Sequence, residues 1–432
     1  MKCTTQRLAK IISRVTPLLR RGAGGEARAI TAIILIAASQ AFAQTTYTID
    51  QALTEALKNN SGMQAVRWEE RHQQQLKKTS FELPKTNVSL MYGQYNGFPN
   101  DNNITITQNI PFTSFGSQRA LNNALSAAAE LKRASSENEL TYQVKQVYYQ
   151  LAFAKAFHGL LLQQDSIFEG FLKSAAARYR TGETNLLEKA TAETQRNDMK
   201  NRLNQSKIGM EQLRWQLQVL LNVKELPDIP SNELNALSWD GGTDTTALTA
   251  NPWLALSRQQ MDVATKSKKW EASKLAPELM LGYFNQTLIG SINLENGNVA
   301  NSSNRFSGIQ VGLALPIFFN AQQARVKAAT FNQNASQSLY QQQRNVIASQ
   351  WQQAVQEYQK NKSSIQYYLE SALLNADLIL KQSSAALKQG EIGYAEYLLA
   401  VRNVNTIKEG YLQTLNAFNQ SILHLEFLSA KK

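Results

Sequence analysis

Glu183 and Glu391 are the acids placed to do chemistry in this chain. Each follows a glycine, Gly182 or Gly390, inside matching segments: Tyr179-Arg-Thr-Gly-Glu-Thr-Asn-Leu-Leu-Glu188 and Leu387-Lys-Gln-Gly-Glu-Ile-Gly-Tyr-Ala-Glu396. An acid at the start of a helix is favoured by the helix dipole, which is reason enough for a solvated carboxylate there. The other reading is a ring of acids, if copies of the chain bring these glutamates together at one opening; such a ring attracts cations and repels anions. Asn185 with Glu188, and Gly393 with Glu396, stand three apart, the spacing of an N-cap residue and its N3 partner. Those two glutamates read as caps.

Other chemistry is thinly represented. His72, His158 and His424 lie far apart with no second histidine at i+3 or i+4, so no metal-binding pattern forms. Met63, Met91, Met199, Met210, Met261 and Met280 make no close pair that would hold a soft metal. The sole cysteine is Cys3. No Ser-His-Asp set, paired-acid site or phosphate-binding glycine loop stands out, since Gly22-Ala-Gly-Gly25 belongs to the N-terminal lead. The chain is read as a non-enzyme, with no catalytic residue, no resident metal and no cofactor.

The N-terminus reads as an export signal. A basic lead precedes the apolar run Ala29 to Ser39, and Ala41-Phe42-Ala43 supplies a cleavage site, so residues 1–43 are expected to be removed. That lead holds seven basic residues and one acid, about half of the formal +12. The basic balance is therefore no argument for nucleic acid. No later run reaches the roughly 18 apolar residues of a membrane helix.

The elements that position the two glutamates come in duplicate. Pro111 and Pro316 lie 205 residues apart, Arg119 and Arg325 206, and Gly182 and Gly390 208. No proline falls between Pro111 and Pro227, and none after Pro316, so both stretches can be helical for long distances. In the first, Leu140, Val144, Val147, Leu151, Ala154, His158, Leu161, Asp165, Phe168, Leu172, Ala175 and Tyr179 step by four and three, the spacing of coiled-coil packing. The second keeps a looser version through Phe331, Ala335, Leu339, Trp351, Val355, Tyr358, Tyr368, Ala372 and Ala376. Ahead of each long helix lies alternating sequence: Val88, Leu90 and Tyr92, then Ile104 and Ile106; Leu279, Leu281 and Tyr283, then Ile309, Val311, Leu313 and Leu315. Such alternation marks strands with one apolar face. The expected layout is repeat one over 44–222 (helix, β-hairpin 86–110, long helix 115–181, return helix 185–222), a linker over 223–248, and repeat two over 249–428 (helix, β-hairpin 278–315, long helix 321–389, return helix 393–428). Four strands cannot close a membrane barrel, which needs at least about eight, and open sheet edges are prohibitive in lipid. Three copies would supply twelve strands.

In this doubled order the chain resembles the TolC family of outer-membrane efflux channels, over about Tyr47 to Leu428. The tip pattern fits at Arg178, Tyr179, Gly182, Asn185, Glu188 and Ala192, and again at Gly390, Gly393, Glu396, Leu398 and Ala400. Lys189 stands where the family has an apolar residue. Asn251-Pro252 matches a family Asn-Pro, whereas repeat one has Asn59-Asn60. The texture of Gly182 to Glu188 is most similar to the heavy-metal efflux branch. The resemblance implies a mainly α fold with a membrane β-barrel: a homotrimer whose twelve-strand barrel sits in outer-membrane lipid of a Gram-negative bacterium and continues as a helical periplasmic tube. It implies a passive exit duct that docks a periplasmic adaptor and an inner-membrane pump of the resistance-nodulation-division type. Gly182, Glu183, Asn185, Glu188, Gly390, Glu391, Gly393 and Glu396 would then form the aperture or the adaptor contact. Multidrug efflux and type I protein secretion use the same fold. The reading from a different class is a periplasmic coiled-coil scaffold, which accounts for the helices but not for four alternating strands.

Overall fold

The computed structural model describes residues 46–293 and 297–431. The expected export signal and its cleavage site lie outside the described residues.

The chain opens with helices α1 (Ile49–Asn59) and α2 (Ser61–Leu76), followed by a short 3-10 turn, Lys77–Phe81. Strands β1 (Asn87–Gly93) and β2 (Asp101–Ile110) precede α3 (Phe112–Thr181) and α4 (Leu186–Leu221). After the connecting segment come α5 (Pro252–Ser273), β3 (Glu278–Gln286) and β4 (Phe306–Ala314). Helix α6 (Asn320–Tyr367), a π turn (Tyr368–Ala372), α7 (Leu373–Gln389) and α8 (Tyr394–Ser429) complete the second repeat. With 70 residues, α3 is about 105 Å long at ~1.5 Å per residue, so the molecule is a rod.

The two repeats are tied at matching points. The Asn60 side chain caps α2 by accepting the Met63 amide at 3.2 Å and donates to the Leu220 carbonyl at 3.0 Å. Asn251 caps α5 by accepting the Trp253 and Leu254 amides at 2.9 and 3.1 Å and donates to the Leu428 carbonyl at 2.8 Å. Each repeat thus pins the end of its return helix to the start of its short helix. The absence of proline after Asn60 costs nothing there, because proline at the first helical position only removes an amide that has no helical partner.

All four strands form one antiparallel sheet in the order β1-β2-β3-β4, which leaves β1 and β4 as edges. The register places Val88 opposite Ile106, Ile106 opposite Tyr283 and Tyr283 opposite Ile309 on one face. Ser89, Thr105, Thr107 and Gln310 share the other face. At the helical end of the sheet, Phe81 stacks on Phe115 at 4.8 Å and the Ser117 and Ser273 hydroxyls meet at 2.7 Å. Rod and sheet are therefore continuous.

The buried stripe of α3 departs from a single heptad seam. Tyr148 is buried beside partly buried Val147, Gln164 is buried beside Asp165, and Phe171 is buried beside Leu172. The reason is geometric: α3 packs against α1, α2, α4, α5 and α8 along its length, so more than one stripe is covered. The second long helix contains the π turn at Tyr368–Ala372. There Tyr368 packs on α8 at Gly410, where a Cβ would lie 2.3 Å from its hydroxyl oxygen.

The segment after α4 is more than a linker. The Tyr47 amide donates to the Asp228 carbonyl at 2.8 Å, and Asp228 takes ion pairs from Lys155 at 2.6 Å and Arg214 at 2.8 Å. Farther on, the Leu237 amide donates to Asn419 at 2.9 Å and the Trp351 indole donates to the Thr243 carbonyl at 3.2 Å. This strap crosses the middle of the rod. No described helix is long and apolar enough to cross a membrane.

Candidate functional site: the paired helical tips

Both hairpin tips lie at the end of the rod away from the sheet. Gly182 ends α3 with φ 76° and Gly390 ends α7 with φ 75°, the left-handed region where glycine has no steric penalty. In each, the next amide folds back onto the preceding helix: Glu183 N–H to the Arg178 carbonyl and Glu391 N–H to the Ala386 carbonyl, both at 2.9 Å. These closures satisfy carbonyls the helix leaves open. The same geometry therefore sets Glu183 and Glu391 at the apex of each turn, exposed to solvent.

The return helices are capped differently. Asn185 accepts the Glu188 amide at 3.0 Å. The Glu188 carboxylate does not return to the cap. It takes the Arg178 guanidinium at 3.1 Å and the Thr184 hydroxyl. Glu188 is thus held by a side-chain network, where cap spacing alone points to a backbone contact. Glu396 does reach back, accepting the Gly393 amide at 2.9 Å. Gly393 has no side chain to reciprocate, so that cap is one-sided. Arg178 also lies 3.9 Å from Glu183. Its position in the second repeat is occupied by Ala386, so the second tip has no counterpart of the Arg178 ion pairs among the described residues. Lys189 sets its ammonium 5.3 Å from the Tyr179 ring centre, a contact that accounts for a cation where an apolar residue is expected.

The two tips share one apolar base. Phe171 meets the rings of Tyr394 and Tyr397 edge-on at 5.3 and 5.2 Å, and Leu161, Phe168, Met199, Leu398 and Val401 fill the space around them. Burial raises the Tyr394 hydroxyl to about 12, with the Glu188 carboxylate adding to the rise and Arg178 opposing it. The charged pair of tip one therefore lies beside the first residue of the tip-two return helix. Higher up, Glu409 of α8 accepts Arg202 of α4 at 2.8 Å and Gln164 of α3 at 3.1 Å, and Arg196 of α4 pairs with Asp165 of α3 at 2.6 Å.

The structure brings Glu183 and Glu188 together around Arg178, with Asn185 capping the helix of Glu188, and sets Glu391, Gly393 and Glu396 around the second turn. Tyr394, Arg202 and Glu409 make contacts between the two repeats that sequence reasoning missed. They join residues about 200 positions apart, and only the doubled order of elements hints that the tips meet. His158 and His424 are both held below the usual histidine range by burial, His158 also by nearby Lys207. Among the described residues no three His, Cys, Asp or Glu side chains could hold a metal ion.

No family model and no curated protein matches the sequence. Solved structures do. A CusC structure described for transmembrane channel formation is 16% identical with a TM-score of 0.72, covering 89% of this chain and 92% of its own. The Campylobacter jejuni CmeC outer membrane channel is 15% identical with a TM-score of 0.73, covering 90% of each chain. The OprN outer-membrane channel is 15% identical with a TM-score of 0.70, covering 89% of this chain and 90% of its own. The chain has the fold of these outer-membrane channels along nearly its whole described length.

Proposed function

We propose that this protein is the outer-membrane channel of a tripartite efflux system. Three copies close a twelve-strand barrel in outer-membrane lipid, with the rod-shaped halves forming a tube across the periplasm. The first 43 residues are the export signal that delivers it there. The tips meet a periplasmic adaptor that links the tube to an inner-membrane pump of the resistance-nodulation-division type. The pump supplies the energy and this chain supplies a passive path.

The observation that carries the reading is the sheet. Its apolar face stands open in the single chain, with Ile309 81%, Val311 67% and Leu313 64% exposed. At roughly 25 cal/mol per Å², so large an open apolar face needs a cover, and both edges need strands. Lipid covers the face and neighbouring copies complete the edges. A soluble coiled-coil scaffold has no use for either feature.

Heavy-metal cations are the cargo we favour. Glu183 and Glu391, three-fold repeated, place six carboxylates at the periplasmic opening. The test is membrane fractionation followed by planar-bilayer recording. The protein is expected in the outer-membrane fraction, forming cation-selective pores. Recovery in the soluble periplasmic fraction would overturn the channel reading. Anion-selective pores would overturn the cargo assignment alone.

A further inference from the structure

The two faces of the β3–β4 pair are built on different rules. On the apolar face large residues oppose large ones: Leu279 with Leu313, Leu281 with Val311, Tyr283 with Ile309. On the other face the three central pairs each set a large residue against a glycine, Met280 with Gly312, Gln310 with Gly282 and Phe284 with Gly308, while at the two ends Glu278 faces Ala314 and Gln286 faces Phe306. The fit is tight. A Cβ on Gly308 would lie 2.6 and 2.7 Å from Cζ and Cε1 of the Phe284 ring, and one on Gly312 would lie 2.9 Å from the Met280 methyl carbon. Non-bonded carbons settle at about 3.5–4.0 Å, so the Phe284 ring occupies the volume that a side chain at 308 would need. Neither Gly308 nor Gly312 has a positive φ. The backbone would accept other residues there, and the close approach is what demands glycine.

We propose that Gly308 and Gly312 are clearance positions, which let Phe284 and Met280 lie flat against the inner wall and keep the exit passage wide. This rests on the channel reading above. Inside a closed barrel the inner side chains converge, so bulk standing off the wall narrows the bore. Bulk on the outer face only meets lipid, and there large residues pair freely. Flat packing also explains why Phe284 and Met280 are half-buried in one chain while outward Ile309 and Val311 stand open. Filling the seat at 308 tips a rigid ring into the passage. Filling the seat at 312 displaces only the end of a flexible thioether, with a smaller effect.

The sole cysteine, Cys3, permits a direct test in a Cys3→Ser background. Gln310→Cys reports the inner wall next to the Phe284 ring, and Ile309→Cys reports the lipid face. A bulky, membrane-impermeant maleimide is applied to intact cells and the labelling rates are read by gel shift. The Gln310→Cys site is expected to label and the Ile309→Cys site to stay protected. Adding Gly308→Ala should slow labelling of the Gln310→Cys site severalfold, and adding Phe284→Ala to that variant should restore the rate. An unchanged rate with Gly308→Ala, while the Ile309→Cys site stays protected, overturns the clearance role and leaves the channel reading standing. Equal labelling of the Ile309→Cys and Gln310→Cys sites removes the barrel itself. Should Gly308→Ala not reach the membrane, Phe284→Ala alone decides. A rate unchanged from the Gln310→Cys parent supports a ring already off the passage, and a faster rate overturns it.

Discussion

At the residue scale, the chemistry of this chain is electrostatic. Glu188 is pinned between Arg178 and Thr184 and borders the buried Tyr394 hydroxyl, whereas Glu183 and Glu391 point into solvent at the turn apices. The solvent-facing acids of the tip turns are therefore the apical pair. Replacing both with Gln is expected to lower cation selectivity in bilayer recordings while leaving the assembled protein intact. Unchanged selectivity with lost adaptor binding would move these acids from the pore to the partner contact. A second residue-scale prediction concerns the strap. Burial alone would raise the Asp228 carboxyl, but hydrogen bonds from Lys155 and the Ile229 amide, with the charges of Lys155 and Arg214, outweigh it and hold the group below its ordinary value. A depressed acid stabilises the fold above its unfolded pKa of about 3.9, and that contribution is lost as pH falls through the lower folded value. Asp228→Ala strands two partly buried cations and should cost about 3–5 kcal/mol at neutral pH. Thermal unfolding in detergent should show the gap between variant and wild type shrinking below about pH 4; a gap independent of pH would refute the role of the ionised carboxylate. Of these features the tip turns were legible in sequence, because Gly-Glu and cap spacings are local signals. The meeting of Glu188 with Tyr394, and of Arg202 with Glu409, was not, because nothing within either segment records its partner.

At the scale of elements, proline spacing and two-residue alternation were enough to locate the long helices and the four strands. Gly182, Gly390, Asn185 and Gly393 mark the helix ends at the tips chemically. The π turn at Tyr368–Ala372 had no such marker. It depends on how Tyr368 packs against Gly410 of another helix. The broad buried surface of α3 was hidden for a similar reason, since a heptad reading assumes one partner and α3 packs against several helices along its length. These assignments make a direct forecast. Leu151 is fully buried in the middle of α3, and Val355 packs against the second core cluster from α6. Proline at either should cost about 3 kcal/mol or more and abolish assembly. Asn100→Pro, in the exposed turn between β1 and β2, should express and assemble as wild type. Equal yields of folded protein for all three variants would contradict the helix assignments.

At the scale of the whole molecule, one chain is an incomplete object. Its sheet ends in two unpaired edges, its apolar sheet face is open, and its rod exposes Leu374, Leu378, Trp215 and Val219 along the helices. Strand edges in lipid are satisfied only by more strands, and a three-fold assembly of four-stranded sheets supplies twelve, above the minimum of about eight. The same closure would gather the tips around one axis and turn six separate carboxylates into a ring. Everything proposed for selectivity, docking and clearance depends on that closure. Native mass spectrometry of the detergent-extracted protein tests it most directly. The account predicts a complex of three chains that falls apart only with loss of the β-sheet signal in circular dichroism; a stable single chain that keeps its folded sheet would contradict it.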